Sequence, residues 1–222
     1  MSPRVQAAVV LDIGETVVDD SRIYVARARQ LGVSPHTLAA VIGALRAEGG
    51  ERTVRDVFRP RGPAGSDAPP ARDAGGYVRL TENDLYPEVR EVLGRLRSRG
   101  FWVGLAGNQP PGIAEDLRAL ALPVDAIATS AEWGVAKPAA GFYRRLVEWT
   151  GNRSSRVLYI GDQVQNDVVA AQRAGLRAVH LVRGPWGYLD ADDPRVARCA
   201  LAQIRDLTEL EETLDRLDWP AD

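Results

Sequence analysis

Residues 5–16 read VQAAVVLDIGET, an apolar run that stops at Asp12, and this stretch decides the fold. A second apolar run, RVLYI at 156–160, stops in the same way at GDQVQND, residues 161–167. Short apolar runs that end in Gly and Asp are typical of buried parallel strands. The two stretches therefore predict an α/β protein built on a parallel sheet.

The acidic residues that follow these strands are candidate site residues. Asp12 follows the first run, and Asp162 and Asp167 follow the second. Ligands of open α/β sheets bind beyond the carboxyl ends of the strands. We therefore expect the three carboxylates to converge at one edge of the sheet, although they are far apart in sequence.

Lys137 is the only lysine in the chain, against 27 arginines. Lysine carries a compact ammonium on a flexible stem, whereas arginine carries a broad planar fork. A compact cation suits a tight site beside a phosphate or a carboxylate. The alternative is a solvated surface lysine, which is the usual place for this residue type.

Composition limits the class of protein. The 222 residues suffice for one core domain and a smaller insertion, and 45% of them are hydrophobic. The net charge of −2 gives no signal for a nucleic-acid or membrane partner. The single Cys199 excludes an intramolecular disulfide, and no signal peptide or membrane-length apolar run is evident. We expect a cytoplasmic protein.

Apolar runs alternate with helical patterns along most of the chain. Three segments, 87–99, 138–149 and 166–174, have the apolar spacing or the Pro and Gly boundaries of helices. This alternation predicts a doubly wound parallel sheet with right-handed crossovers. The runs that we expect to form its strands are 5–11, 101–106, 126–129, 156–160, 177–182 and a weaker one near 203–207.

One interval between the first two strands is far longer than a crossover helix. It contains two helical patterns, 21–31 and 35–48, the second with Ser34 as its N-cap, and a Gly/Pro-rich loop at 59–76. We expect residues 17–82 to form a small helical cap domain. The core domain would then comprise residues 1–16 and 83–222.

Four motifs resemble those of the haloacid dehalogenase (HAD) superfamily, in the subgroup with a helical cap after the first strand. They are DIGET at 12–16, LAGN at 105–108, EWGVAKP at 132–138 and GDQVQND at 161–167. The resemblance covers essentially the whole chain, with the motifs in the family's order. It implies a Rossmann-like core and a hydrolase.

The resemblance also implies roles for individual residues. Asp12 would attack phosphorus and form an aspartyl-phosphate, which splits one difficult step into two. Mg²⁺ would be bound by Asp12, Asp162 and the Gly14 carbonyl, with Asp167 as a direct or water-mediated ligand. Lys137 would hold the nucleophile and the phosphate.

The chain departs from the family pattern at Gly14, where phosphatases place a second Asp as general acid and base. A positioned acid/base contributes roughly 10²–10⁴ in rate. Glu15 is a doubtful substitute, because successive side chains of extended backbone point to opposite sides. Asp19 and Asp20 are other candidates if the turn folds back, and otherwise they are solvated loop acids.

Gly107 is a second departure, because the family has Ser or Thr there to bind the phosphoryl group. Only backbone amides and Asn108 remain for substrate binding, and Asn108 is equally suited to forming the turn before the prolines that follow.

His180 lies in an apolar run and is interpreted as structural. Trp186 follows a strand end and is assigned to the core by default, with the site or a subunit contact as alternatives.

The sequence leaves three functions open. The first is a Mg²⁺-dependent phosphatase acting on a small phosphorylated metabolite, as a monomer or homodimer. The second is a catalytically degenerate protein that binds a phosphorylated ligand or a protein partner. The third is a dehalogenase, a branch that lacks the second Asp but needs no metal, so the acidic fourth motif disfavours it.

Overall fold

The computed structural model describes residues 7–49, 53–58, 78–217 and 219. These residues fall into two compact units, one within Met1–Asp19 and Arg79–Asp222 and the other within Asp20–Val78. We call them the α/β unit and the helical unit. The predicted cap boundaries, 17–82, stay a prediction, and the loop expected at 59–76 lies outside the described residues.

Within the described residues, six parallel strands form one sheet. They are β1 Ala8–Leu11, β2 Trp102–Gly107, β3 Ala126–Thr129, β4 Val157–Gly161, β5 Arg177–Leu181 and β6 Ala202–Ile204. Their order across the sheet is β3-β2-β1-β4-β5-β6. The chain builds one side of the sheet from β1 to β3 and then the other side from β4 to β6, so the order reverses between β1 and β4. This confirms the predicted doubly wound α/β fold.

The central strand β1 is buried along its whole length, as expected for a parallel strand covered on both faces. Its Leu11 is in register with Leu105 of β2 and Ile160 of β4. The backbone N–H of Asp12 donates to the carbonyl of Ile160 at 2.8 Å. Asp12 and Asp162 therefore leave the sheet at the same edge, from neighbouring strands.

Helices connect the strands of the α/β unit. The amphipathic helix α4, Val89–Ser98, buries Val89, Val92, Leu93 and Leu96. The described helices of this unit are α4 Val89–Ser98, α5 Ile113–Ala119, α6 Ser130–Trp133, α7 Ala140–Thr150, α8 Ala170–Arg173, α9 Gly184–Leu189, α10 Pro194–Cys199 and α11 Leu210–Arg216, with short 3₁₀ turns between some of them.

Three predicted helices differ from those observed. The helix expected at 87–99 spans Val89–Ser98, so Pro87 lies in the turn before it. The helix expected at 138–149 begins at Ala140, so Pro138 lies in the turn before it. The helix expected at 166–174 begins as a π-helix, Val164–Val169, which continues as α8. The Asp167 carboxylate accepts the backbone N–H of Gln163 at 2.8 Å, while the Asp167 N–H donates to the Gln163 carbonyl. These two hydrogen bonds connect the N-cap residue Gln163 with the first turn of the helix.

The helical unit contains α1 Ser21–Gln30, α2 Pro35–Glu48 and α3 Val54–Val57. Ser34 accepts the backbone N–H of Thr37 at 3.1 Å and so caps α2, as predicted. Gly49 ends α2 in the left-handed conformation, with φ of 61°. Across the described residues, no helix combines the length and the apolar character that a membrane span needs.

Candidate active site at the switch point of the sheet

Three aspartates meet at the edge of the sheet where the strand order reverses. Asp12 follows β1, Asp162 follows β4, and Asp167 lies in the π-helix after β4. One carboxylate oxygen from each lies within 4.8 Å of the other two. All three residues are buried, with exposures of 5%, 1% and 0%. The structure thus brings together the three acidic residues that the sequence singled out.

Lys137 joins two of these carboxylates. Its Nζ lies 2.8 Å from Oδ1 of Asp12 and 2.6 Å from Oδ1 of Asp167, and the Tyr159 ring lies beneath it at 5.2 Å. Burial by itself lowers the pKa of Lys137, but the charges of Asp12 and Asp167 outweigh burial and hold the pKa above its ordinary value. Lys137 is therefore a buried ammonium, not a surface lysine.

The carboxyl groups carry an electrostatic cost. Burial raises the pKa of Asp12 to about 6, although the charge of Lys137 opposes the shift. Burial also raises the pKa of Asp162 well above its usual range, and the charge of Asp167 adds to this. Neither buried oxygen of Asp162 has a hydrogen-bond partner in another described residue. A buried carboxylate without a donor is costly unless a cation pairs with it.

The backbone of Lys137 is bound by the side chain of Asn108. The Asn108 amide donates from Nδ2 to the Lys137 carbonyl at 2.9 Å, and its Oδ1 accepts the Lys137 N–H at 2.8 Å. Sequence reasoning offered substrate contact or turn formation for Asn108. In the structure this amide connects the turn after β2 with the turn that carries Lys137, and contact of Asn108 with a substrate stays a prediction.

Two glycines leave room for the carboxylates. A Cβ atom at Gly107 would lie 2.3 Å from Oδ1 of Asp12, and one at Gly161 would lie 2.3 Å from Oδ2 of Asp167. A side chain at either position would force an aspartate to move. Gly107 can therefore offer a ligand only its backbone while Asp12 keeps this position.

The turn after Asp12 contains Gly14 and Glu15. Glu15 is in the left-handed region with φ of 52°, which is uncommon for a residue with a side chain. Its Oε2 accepts the Tyr86 hydroxyl at 2.7 Å. A Cβ at Gly184 would lie 2.6 Å from the Glu15 Cβ. The backbone conformation, the tyrosine and the glycine together hold Glu15 in place, and sequence reasoning missed both partners.

Arg183 supports the same turn from the end of β5. Its Nη1 donates to the Thr16 carbonyl at 3.0 Å, and its guanidinium carbon lies 3.9 Å from the centre of the Tyr86 ring. Its Nη2 also donates to Glu88. Arg183 thereby connects the chain segment after β1 with the segment before α4. The sequence drew attention to Trp186 nearby, but no sequence pattern distinguished Arg183 from the other arginines.

His180 lies behind the site and is fully buried. Burial lowers its pKa below the ordinary value. Its Nδ1 faces the amide nitrogen of Gln203 at 3.0 Å, so Nε2 carries the proton and donates to the Asp162 carbonyl at 3.1 Å. His180 thus has a structural role, as expected, and this role is to hold the backbone of Asp162.

Asp19 and Asp20 end the segment that leads out of the α/β unit. The Asp19 backbone N–H donates to the Asp84 carbonyl at 2.8 Å, next to a β-bridge between Val18 and Leu85. Asp20 immediately precedes α1 of the helical unit. The outgoing and returning segments therefore pair with each other at the level of Asp19.

Comparison with known proteins adds independent information. A family model described as haloacid dehalogenase-like hydrolase matches residues 6–175. A phosphoserine phosphatase from Thermus thermophilus is 30% identical over 163 residues, which cover 72% of this chain and 62% of that protein. A glyceraldehyde 3-phosphate phosphatase from Methanopyrus kandleri is 25% identical over 231 aligned positions, which cover 93% of this chain and 97% of that protein. Several other matches to curated relatives span only 58% of the relative.

Solved structures extend the similarity to the fold. The HAD-hydrolase YfnB from Bacillus subtilis, solved bound to magnesium, superposes with a TM-score of 0.68 at 18% identity. The superposition covers 95% of this chain and 99% of that one. Structures of dehalogenases match as well, at 17–20% identity. At such identities the likeness shows a shared fold and does not separate the two activities.

Proposed function

This chain belongs to the haloacid dehalogenase-like hydrolase family, and from that premise we propose that it is a magnesium-dependent phosphatase of small phosphorylated metabolites. The observation that carries the proposal is the group of Asp12, Asp162 and Asp167, with Lys137 bound to two of them. Relatives named as phosphatases over most of the chain support it.

The side chains suit a hard cation. Carboxylate oxygens are the ligands that Mg²⁺ prefers, and the buried oxygens of Asp162 otherwise have no hydrogen-bond partner in another described residue. Asp12, Asp162 and the Gly14 carbonyl would hold the ion, with Asp167 as a direct or water-mediated ligand. The ion, when bound, neutralises negative charge on phosphoryl oxygens.

The remaining chemistry falls to Asp12 and Lys137. Asp12 attacks phosphorus with one carboxylate oxygen and becomes an aspartyl-phosphate. Lys137 stays an ammonium, offsets the charge of the acidic cluster and attracts the phosphoryl group. The burial of the site excludes bulk water, so these interactions act in a low dielectric.

A second function is favoured by one specific observation, the glycine at position 14. Without an acid at this position, the protein would bind a phosphorylated ligand and turn it over poorly or not at all. A dehalogenase is the least favoured of the three functions, because three clustered aspartates suit a cation and not a halide.

The test is phosphate release from a panel of phosphorylated metabolites, with magnesium and with a chelator. We expect turnover only with the metal, and loss of turnover in Asp12→Asn and Asp162→Asn. Asp215→Asn, at an exposed carboxylate outside the site, is the matched control. Ligand binding without phosphate release would favour the second function, and full activity in Asp12→Asn would exclude Asp12 as the nucleophile.

A further inference from the structure

We propose that Asp12 accepts a phosphoryl group from acyl phosphates and keeps it as a long-lived aspartyl-phosphate. On this view the chain is itself phosphorylated at Asp12, and loss of the phosphoryl group is the slow step. The inference rests on the proposed function, because it needs Asp12 as nucleophile. It goes further by naming the donor class and the species that accumulates.

The first argument concerns the turn after Asp12. An aspartyl-phosphate is hydrolysed quickly only when a positioned base activates the attacking water. Gly14 has no side chain to do this. Glu15 is the adjacent carboxylate, but Tyr86 donates to its Oε2 and its Cβ packs over Gly184. The position of the Glu15 side chain is therefore fixed by Tyr86, in the segment before α4, and by Gly184, which follows β5.

The second argument concerns the polar groups around Asp12. Asp167 accepts from Lys137 and from the backbone of Gln163. The Asn108 amide is bound on both sides to the Lys137 backbone. Lys137 is an ammonium between two carboxylates and has no lone pair to accept a proton. Asp162 is the proposed metal ligand. Among these described neighbours of Asp12, none is left to serve as a base for water.

The two steps make opposite demands. In the first, an Asp12 oxygen bonds to phosphorus while the bond from phosphorus to the acyl oxygen breaks. The electron pair leaves with the carboxylate product, which is a stable anion and needs no proton. An alkoxide leaving group would need one, so acyl phosphates suit a site without a general acid.

In the second step, a water oxygen bonds to phosphorus and the bond from phosphorus to the Asp12 oxygen breaks. The electron pair returns to the Asp12 carboxylate, and the water must lose a proton. Without a base, that proton passes to solvent, and the step is slow.

The experiment incubates the full chain with magnesium and radiolabelled acetyl phosphate, removes the donor, and follows the label by intact mass and radioactivity. We expect one phosphoryl group per chain, released by hydroxylamine as an acyl phosphate should be, and none in Asp12→Asn. Gly14→Asp should shorten its lifetime by about 10²–10⁴-fold, the usual contribution of a positioned base. Gly14→Asn, of equal size but without basicity, should not reproduce this shortening, and Asp215→Asn, outside the site, should keep the wild-type lifetime.

A second measurement needs no variant. With para-nitrophenyl phosphate and magnesium, the wild-type chain should release one equivalent of nitrophenolate rapidly and then continue slowly. Steady turnover near 10 s⁻¹, roughly a typical enzymatic rate, without a burst or trapped label would overturn the inference and leave the phosphatase proposal standing. Absence of label, burst and turnover with every donor would remove both.

Discussion

The side-chain amide of Asn108 forms two hydrogen bonds with the backbone of Lys137, one to its carbonyl at 2.9 Å and one from its N–H at 2.8 Å. Two hydrogen bonds to one planar amide fix both the position and the orientation of the Lys137 backbone. The ammonium that joins Asp12 and Asp167 therefore depends on a residue that, among the described residues, forms no hydrogen bond with either carboxylate.

Replacement of Asn108 should weaken the site through Lys137. Asn108→Asp keeps the acceptor but loses the donor, whereas Asn108→Ala loses both. Each hydrogen bond of this kind contributes about 0.5–1.5 kcal/mol. By this measure the alanine variant should lose more stability than the aspartate variant. A large repulsion by the introduced carboxylate would reverse the order. In either variant kcat should fall more than KM rises. Unchanged kcat in Asn108→Ala would show that Lys137 is positioned without it.

Stability should depend on pH through Asp12. Its pKa is about 6 in the folded protein, against 3.8 as the ordinary value, so the folded state binds more protons between these values. Stability of the metal-free protein should therefore fall as pH rises from about 4 to about 6 through Asp12, and the raised pKa of Asp162 should continue the fall at higher pH. Urea unfolding should show a flatter pH dependence for Asp12→Asn than for the wild type. Asp215→Asn should keep the wild-type slope.

Strain at Glu15 predicts an ordering of variants. The left-handed conformation costs a residue with a Cβ roughly 1–2 kcal/mol, and glycine avoids this cost. Both Glu15→Gly and Glu15→Ala lose the Tyr86 hydrogen bond, so Glu15→Gly should be more stable by about 1 kcal/mol. Thermal or urea unfolding measures the difference. Equal stabilities would mean that the backbone relaxes at this turn.

Space at Gly184 predicts coupling with Glu15. Gly184→Ala places a Cβ against Glu15 at a residue whose own φ is 61°, so it should destabilise the protein. Adding Glu15→Gly removes the contact and should recover part of the loss. A double-mutant cycle should therefore give a coupling energy of about 0.5–3 kcal/mol. If the effects of the two substitutions on stability are strictly additive, the contact between residues 184 and 15 is not a source of the destabilisation.

Loss of Arg183 should destabilise the α/β unit. The residue is 8% exposed, and Arg183→Met would leave Glu88 partly buried without this cation and free the Thr16 carbonyl from its donor. Removal of one partner of a buried ion pair costs about 3–5 kcal/mol, and partial exposure of Glu88 places this case at the lower end. Arg153→Met, at an exposed arginine, should change stability little. A similar small effect for Arg183→Met would contradict the connecting role.

Much of the fold follows from local sequence. Apolar runs of strand length alternate with helical patterns, and burial on both faces of a parallel sheet requires such runs. The order β3-β2-β1-β4-β5-β6 then places the ends of β1 and β4 side by side, so the convergence of Asp12 and Asp162 was predictable. Ser34 was predictable as a cap because capping involves only neighbouring residues.

Other features depended on contacts between distant segments. The roles of Asn108, Tyr86 and Arg183 each join two parts of the chain that no periodicity relates. The start of α7 at Ala140 and the π-helix around Asp167 also departed from the local patterns. Side-chain hydrogen bonds to backbone decide such details, and their partners are known only once the chain has folded.

The sequence by itself determined which residue types lie at the candidate site, beyond the carboxyl ends of the strands: three aspartates, a single lysine and a glycine at position 14. Their identities specify the chemistry, because charge and nucleophilicity belong to the side chain. The tertiary structure decided which of these groups are paired with one another and which, like Asp162, have buried oxygens that lack a partner in another described residue. Pairing depends on distances of a few ångströms between segments far apart in sequence, and only the packed fold sets those distances.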